Sequence, residues 1–153
     1  MILIKNTQRK ISLDTKKIKF EIEKIIDFLH YLDFDIGILF TTEKVIREYN
    51  KTYRDKDKPT DVLSFPYYPH LKAGQKIKAS HEDEKNLGDL IICPAYIKEN
   101  FPTSFNKQLR IILVHGICHL LGYDHIDDTD FEIMQKEEAR ILAHLEKNSD
   151  FIG

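Results

Sequence analysis

Three closely spaced histidines are the part of this sequence best suited to chemistry. The stretch from His115 to His125 reads His-Gly-Ile-Cys-His-Leu-Leu-Gly-Tyr-Asp-His. His115 and His119 are four residues apart, so on a helix of about 3.6 residues per turn both imidazoles leave one face, one turn apart. Gly122 follows where helices commonly end with a glycine, and the reversed chain can bring His125 to the same point. The spacing predicts a metal site with three imidazole ligands.

Three neutral imidazoles with an open fourth position are typical of catalytic zinc, whereas structural zinc usually has four protein ligands, often thiolates. We therefore expect one zinc ion per chain, bound by His115, His119 and His125. The alternative is that these histidines are packed or solvated and bind nothing. Cys118 lies between two of the proposed ligands but points about 100° around the helix from His119, which argues against a thiolate ligand.

The same spacing fits the zinc-protease pattern His-Glu-x-x-His-x-x-Gly-x-x-His at every position except one. In that pattern the glutamate is the general base, and here Gly116 takes its place. Zinc could still lower the pKa of a water ligand, but the usual proton acceptor is missing. A metalloprotease that recruits its base from elsewhere is therefore an alternative that the sequence disfavours.

Two further segments complete a resemblance to a known family. They read Tyr53-Arg54-Asp55-Lys56-Asp57-Lys58-Pro59-Thr60-Asp61-Val62-Leu63-Ser64-Phe65-Pro66 and Leu87-Gly88-Asp89. Together with the histidine motif they resemble the YbeY family of bacterial endoribonucleases and rRNA maturation factors, from about residue 36 to the C-terminal helix. The stretches 67–86 and 96–105 carry the least of this pattern, so contacts made there cannot be inferred from the family.

The resemblance implies a single YbeY-like domain over residues 1–153. It implies a cytoplasmic, zinc-dependent, single-strand-specific endoribonuclease acting in 16S rRNA maturation and ribosome quality control. It also implies that His115, His119 and His125 bind the metal and that Arg54 is a functional residue of the substrate cleft. The expected partners are single-stranded RNA and the small ribosomal subunit with its associated proteins, with no DNA and no membrane. A non-enzymatic ribosome-assembly factor with structural zinc is the alternative from a different class.

Two residues outside the histidine set are candidates for catalysis. A guanidinium is a permanently charged planar fork that matches phosphate oxygens, so Arg54 would bind the scissile phosphate. The alternative for this residue is a salt bridge to Asp55, Asp57 or Asp61. Asp124 precedes the third histidine and could orient an imidazole or, since the protease glutamate is absent, act as the base. If the ribose 2′-hydroxyl is the nucleophile, no protein base near the metal is required.

Composition and charge indicate the size of the domain, its expected compartment and how strongly it would bind RNA. The 153 residues suit one domain with a real core, and no apolar run approaches the ~20 residues of a membrane span. The N-terminus lacks the features of a signal peptide, and Cys93 and Cys118 are expected as buried thiols in a reducing cytoplasm. The formal net charge of −2 predicts weak nonspecific affinity for RNA and few phosphate contacts. Basic residues nonetheless cluster just before Asp61, at Lys51, Arg54, Lys56 and Lys58.

Periodicity predicts the elements that would position these residues. Strands are expected at 2–5, 35–40, 61–65 and 87–93, and helices from Asp14 to about Leu32, from Thr42 to about Asn50, at 95–100, after Pro102 and over 128–146. A charged loop is expected at 54–60, and an exposed hairpin extension or mobile loop at 67–86. The histidine helix is apolar on nearly every side, so it belongs in the centre of the domain. The fold class is therefore α+β, a mixed sheet of about four strands with five or six helices and a central metal-binding helix.

Overall fold

A computed structural model describes residues 1–148 of the chain. Its sheet contains β1 (Ile2–Asn6), β2 (Asp35–Phe40), β3 (Val62–Pro66) and β4 (Asn86–Ile92), in the order β1-β2-β4-β3. β1, β2 and β4 run parallel, and β3 pairs antiparallel with β4 at the edge of the sheet. The expected α+β fold with a mixed sheet of four strands is confirmed.

Five α-helices occur within the described residues, in agreement with the expected five or six. They are α1 (Thr15–Phe28), α2 (Glu43–Arg54), α3 (Pro94–Asn100), α4 (Phe105–Leu120) and α5 (Asp128–Asn148). Side chains of the strands alternate between two faces. On β2, Ile36, Ile38 and Phe40 join the main core with α1, α4 and α5, whereas Leu39 packs on a smaller cluster under α2. The histidine helix α4 therefore lies in the main core, as its apolar sequence predicts.

The end of α1 differs from the sequence expectation. The helix stops at Phe28 rather than near Leu32. His30 adopts a left-handed backbone with φ of 66°, and the N–H of Tyr31 bonds back to the Ile26 carbonyl at 2.7 Å. Helices commonly make this closure with glycine, so a histidine at the same position gives no signal in the sequence.

The end of α2 also differs from the sequence expectation, and the difference changes where Arg54 lies. α2 continues past Asn50 to Arg54, and Asp55 then ends it with a left-handed backbone of φ 56°. The buried Asn50 contributes to this extension, because its Nδ2 donates to the Lys58 carbonyl at 2.9 Å and ties the following loop to the helix. Arg54 therefore lies on the last helical turn, and the loop expected over 54–60 begins one residue later.

The connection 67–85 joins β3 to the antiparallel β4, as a hairpin extension requires. It packs more closely than its polar sequence suggests. Leu71, Ile77 and Ala79 are partly buried against the main core. The N–H of Ile77 donates to Tyr31 Oη at 3.2 Å. This connection is therefore fixed to the body of the domain.

Both cysteines, Cys93 and Cys118, are buried free thiols, as predicted. Burial raises the pKa of each thiol. Since the thiolate is the form that binds metals, a protonated buried thiol is a poor ligand, which agrees with leaving Cys118 out of the ligand set. Within residues 1–148, no helix is long and apolar enough to cross a membrane.

Candidate metal centre and substrate cleft

The three histidines of the motif come together at the C-terminal end of α4. One nitrogen from each of His115, His119 and His125 lies within 4.8 Å of the other two. Nε2 of His115 and Nε2 of His119 are 3.1 Å apart. The ring centroid of His125 lies 6.0 Å from that of His115 and 5.3 Å from that of His119. The structure thus brings together the three residues that the spacing predicts, two of them half-buried and the third exposed.

Gly122 reverses the chain between the second and third histidines. Its φ is 91°, a left-handed conformation that glycine adopts without strain. The N–H of Gly122 bonds to the His119 carbonyl at 3.1 Å. The N–H of Tyr123 bonds to the Cys118 carbonyl, also at 3.1 Å, which completes a Schellman motif. A Cβ at Gly122 would lie 2.3 Å from the carbonyl oxygen of Leu71, so this turn is also in close contact with the β3–β4 connection.

Each helical histidine also interacts with a residue outside the set of three. Nδ1 of His115 lies 3.0 Å from Oε2 of Glu138 on α5. The backbone of Tyr123 acts on the ring of His119 in the direction that raises its pKa, and Tyr123 Oη donates to Glu137 Oε2 at 2.7 Å. Sequence reasoning missed both glutamates, because they reach the site from another helix and no local spacing connects them to the histidines.

The protonation state of the site favours metal binding. Burial lowers the pKa of His119, and the neighbouring His115 lowers it further. A lower pKa favours the neutral imidazole, which is the form that coordinates a metal. Three converging imidazole nitrogens suit zinc and related divalent ions. The described residues therefore provide a group that could hold a metal ion.

A cleft of about 850 Å³ opens beside the histidines, and Arg54 is among the residues that line it. No ion pair or side-chain hydrogen bond joins Arg54 to another residue within 1–148. Two of the aspartates that could have paired with it have other partners. Asp57 pairs with Arg47 at 2.8 Å, and Oδ1 of Asp61 accepts from the N–H of Val62 at 2.7 Å. The guanidinium of Arg54 is therefore exposed at the cleft and available to a ligand.

Asp124 also lines the cleft, but its carboxylate is engaged locally. Oδ1 accepts a hydrogen bond from the backbone N–H of His125 at 2.8 Å. Within the described residues the carboxylate thus bonds to a backbone amide and to no imidazole ring. Its negative charge acts against the effect of burial, because it raises the pKa of His119. A role of Asp124 in catalysis stays a prediction.

Gly116, at the position of the protease glutamate, faces the sheet. A Cβ there would lie 2.9 Å from Cδ2 of Leu90 on β4. The carbonyl oxygen of Gly116 lies 3.5 Å from Ser64 Oγ on β3. Glycine thus allows α4 to lie close against the sheet, and a glutamate here would have to displace the buried Leu90. The packing of α4 therefore gives an independent reason to set the zinc-protease interpretation aside.

The site combines, in one cleft of an α+β domain, a three-histidine group that could hold a metal ion and the guanidinium of Arg54. The sequence matches the family model for endoribonuclease YbeY over residues 3–146. The endoribonuclease YbeY of Homo sapiens is 37% identical over 148 residues, which span 94% of this chain and 87% of the relative. That of Caldicellulosiruptor bescii is 35% identical, over 94% of this chain and 96% of the relative.

A solved structure shows the same fold. The solution structure of TM1509 from Thermotoga maritima is 28% identical, has a TM-score of 0.56, and is matched over 98% of this chain and 97% of its own. The chain belongs to the YbeY family of endoribonucleases, which are RNA-cleaving hydrolases.

Proposed function

We propose that this protein is a zinc-dependent, single-strand-specific endoribonuclease that acts in 16S rRNA maturation and ribosome quality control. The observation that carries most weight is the meeting of His115, His119 and His125 with Arg54 in one cleft. The relatives named endoribonuclease YbeY support RNA as the substrate. The same proposal includes one domain, one zinc ion per chain, a cytoplasmic setting, and the small ribosomal subunit with its associated proteins as partners.

The proposed chemistry divides between the metal and the side chains of the cleft. Zinc held by the three histidines would supply Lewis-acid chemistry towards a phosphoryl oxygen or a water molecule. Arg54 binds the scissile phosphate, since its free fork can donate to two phosphate oxygens at once. Asp124 orients the site or accepts a proton, because it is exposed at the cleft beside the third histidine. If the 2′-hydroxyl of the ribose attacks, Asp124 is not needed as the base.

The size of the cleft supports a single-stranded substrate. A volume of about 850 Å³ is within the range of pockets that take ligands of nucleotide size. Proteins that recognise duplex RNA instead span many base pairs and contact the backbone across successive grooves. A strand with its bases unstacked can enter the cleft and bring one phosphate to the histidines and Arg54.

The charge of the cleft predicts a short contact with the RNA backbone. Asp61, Asp124 and Asp130 line it together with the basic groups. These carboxylates would repel phosphates that lie beyond the reach of the metal and Arg54. We therefore expect few phosphate contacts and a shallow dependence of affinity on salt, in keeping with the net charge of −2.

A turnover assay with highly purified protein tests this proposal. Zinc-loaded and metal-free protein are compared on a single-stranded RNA and on the same RNA annealed to its complement. The expected result is multiple turnover on the single strand by the zinc-loaded protein alone. Zinc binding without turnover would instead favour the non-enzymatic assembly factor, and full activity of metal-free protein would remove the metal from the proposal.

A further inference from the structure

We propose that Glu137 and Glu138, two consecutive residues of α5, position the two helical histidines of the metal site. Glu138 acts directly on His115, and Glu137 acts on His119 through Tyr123. This inference rests on the proposed zinc site and adds the residues that hold its ligands in place.

Glu138 is in direct contact with its histidine. Oε2 of Glu138 lies 3.0 Å from Nδ1 of His115, and the two side chains are only 21% and 31% exposed. A carboxylate at Nδ1 favours the tautomer with its proton on that nitrogen, which leaves the lone pair of Nε2 free. Nε2 is the atom that faces Nε2 of His119 at 3.1 Å. Glu138 therefore holds the ring in the orientation and tautomer that a metal requires.

Glu137 acts on His119 indirectly, through Tyr123. Its Oε2 accepts a hydrogen bond from Tyr123 Oη at 2.7 Å, and Tyr123 lies four residues after His119, where its backbone interacts with the His119 ring. Tyr123 also lies in the turn that leads to His125, so fixing its side chain restrains the third ligand as well. Nε of Arg140 lies 2.6 Å from Oε1 of Glu137, and this pair balances the charge of the glutamate.

The helix that carries both glutamates is firmly attached to the domain. Met134, Ile141 and Leu145 form a buried stripe along α5 and pack in the main core. Ligands are held most accurately when their supporting groups are on rigid elements. Because α5 is packed against the core, its glutamates can restrain a site that lies partly on a loop.

Glu137 and Glu138 act as positioning residues and are neither catalytic groups nor metal ligands. Neither residue lines the cleft, so neither is placed to contact a substrate bound there. Glu138 also bonds to the nitrogen of His115 that faces away from the other helical histidine, so it is not arranged as a fourth ligand.

The test compares Glu138→Ala, Glu138→Gln, Glu137→Gln and Tyr123→Phe with the unaltered protein. Three quantities are measured: Zn²⁺ affinity by competition with a chromophoric chelator, the visible spectrum of the Co²⁺-loaded protein, and the unfolding of the metal-free protein. Glu146→Gln is the matched control, because Glu146 is an exposed residue of the same helix and its replacement removes the same charge.

We expect Glu138→Ala to weaken zinc binding by about 10- to 100-fold, the usual effect of losing a group that orients a metal ligand. Glu138→Gln should lose less zinc affinity than Glu138→Ala, since the amide oxygen of glutamine can still accept a hydrogen bond from Nδ1–H of His115. Glu137→Gln and Tyr123→Phe should weaken binding by a smaller factor than Glu138→Ala. The Co²⁺ spectrum should change with the affinity, because both depend on the orientation of the imidazoles, and Glu146→Gln should match the unaltered protein.

Two negative results have different meanings. If Glu138→Ala and Glu138→Gln both bind zinc with unchanged affinity and an unchanged Co²⁺ spectrum, the inference is wrong while the zinc site stands. If the unaltered protein does not bind zinc, the proposed function itself fails. Should Glu138→Ala not fold, the nearly isosteric Glu138→Gln decides the question by the same affinity and spectrum.

Discussion

Nε of Arg47 lies 2.8 Å from Oδ1 of Asp57, and this surface ion pair occupies an aspartate that could otherwise have paired with Arg54. The hydrogen bond from Arg47 lowers the pKa of Asp57. Arg54 lies two turns further along α2 and lines the cleft without an ion pair of its own in the described part of the chain. Arg47 thus holds the following loop against α2, and Arg54 is available to bind a substrate.

Arg54→Lys should separate phosphate binding from a structural role. Lysine keeps the positive charge but loses the planar fork, so RNA cleavage should fall by ~10- to 100-fold, about 1.4–2.7 kcal/mol of transition-state stabilisation. Zinc content and melting temperature should hardly change, because the side chain is exposed. Cleavage rate, zinc content and thermal unfolding are measured on the same preparations.

Arg47→Lys is the matched control for this prediction. It makes the same substitution on the same helix and affects only an exposed ion pair, which contributes ~0–1 kcal/mol to stability. Its cleavage rate should equal that of the unaltered protein. If Arg54→Lys is folded, zinc-loaded and just as active, Arg54 has no part in phosphate recognition.

Zinc removal should destabilise the protein, and His119→Ala should abolish the effect. A metal that binds only the folded state adds RT ln(1 + [L]/Kd) to the free energy of unfolding, ~4 kcal/mol at a thousandfold excess over Kd. A chelator should therefore lower the melting temperature of the unaltered protein and leave that of His119→Ala unchanged. His81→Ala, an exposed histidine outside the site, serves as control. Full zinc occupancy in His119→Ala, measured by metal analysis, would contradict the assignment.

The sequence was most informative where chemistry depends on local spacing. The positions of His115, His119 and Gly122 along one helix and its end were enough to predict that His125 returns to the same point. The sheet was also predictable, because its strands alternate with helices and the polar segment before β4 suggested hairpin pairing. Both predictions rest on local sequence patterns, although the strands that pair in the sheet are themselves far apart in the chain.

Features set by distant contacts could not be predicted in this way. Glu138 reaches His115 across 23 residues and from a different helix. Gly116 looks in the sequence like a missing base, whereas the structure shows that it makes room for Leu90 of β4. The residues alone also left Arg54 undecided between phosphate and an aspartate, and only the fold shows which aspartates are already engaged.

The stability of the metal-free protein should depend on pH through His119. Burial keeps the pKa of His119 in the folded protein below its ordinary value, which is about 6.5. As the pH falls through about 6.5, the unfolded chain takes up the proton first, so the free energy of unfolding decreases. Above that pH the imidazole is neutral in both states and adds no pH dependence.

Chemical denaturation of metal-free wild type and His119→Asn, at a neutral and a mildly acidic pH, measures this effect. Groups away from the site titrate alike in the two proteins, so the difference between them reports His119 together with its coupling to its neighbours. The wild type should lose more stability on acidification than the variant. An equal loss would mean that His119 has the same pKa in the folded and unfolded chains.

Gly122→Ala should both destabilise the fold and weaken zinc binding, because this turn places the third ligand. With φ at 91° and a built Cβ only 2.3 Å from the Leu71 carbonyl oxygen, alanine is opposed by backbone strain and by a clash with the main chain. The strain alone is of order 1–3 kcal/mol, and relief of the clash must move either the β3–β4 connection or the turn that leads to His125.

Gly74→Ala separates the two effects. Gly74 has a similar φ of 81°, but a Cβ there meets nothing within 4 Å, so its replacement carries only the backbone strain. Denaturation of the metal-free proteins should show a greater loss of stability for Gly122→Ala than for Gly74→Ala, and zinc titration should show weaker binding only for Gly122→Ala. If both variants lose the same stability and bind zinc like the unaltered protein, the contact between Gly122 and Leu71 does not determine where His125 lies.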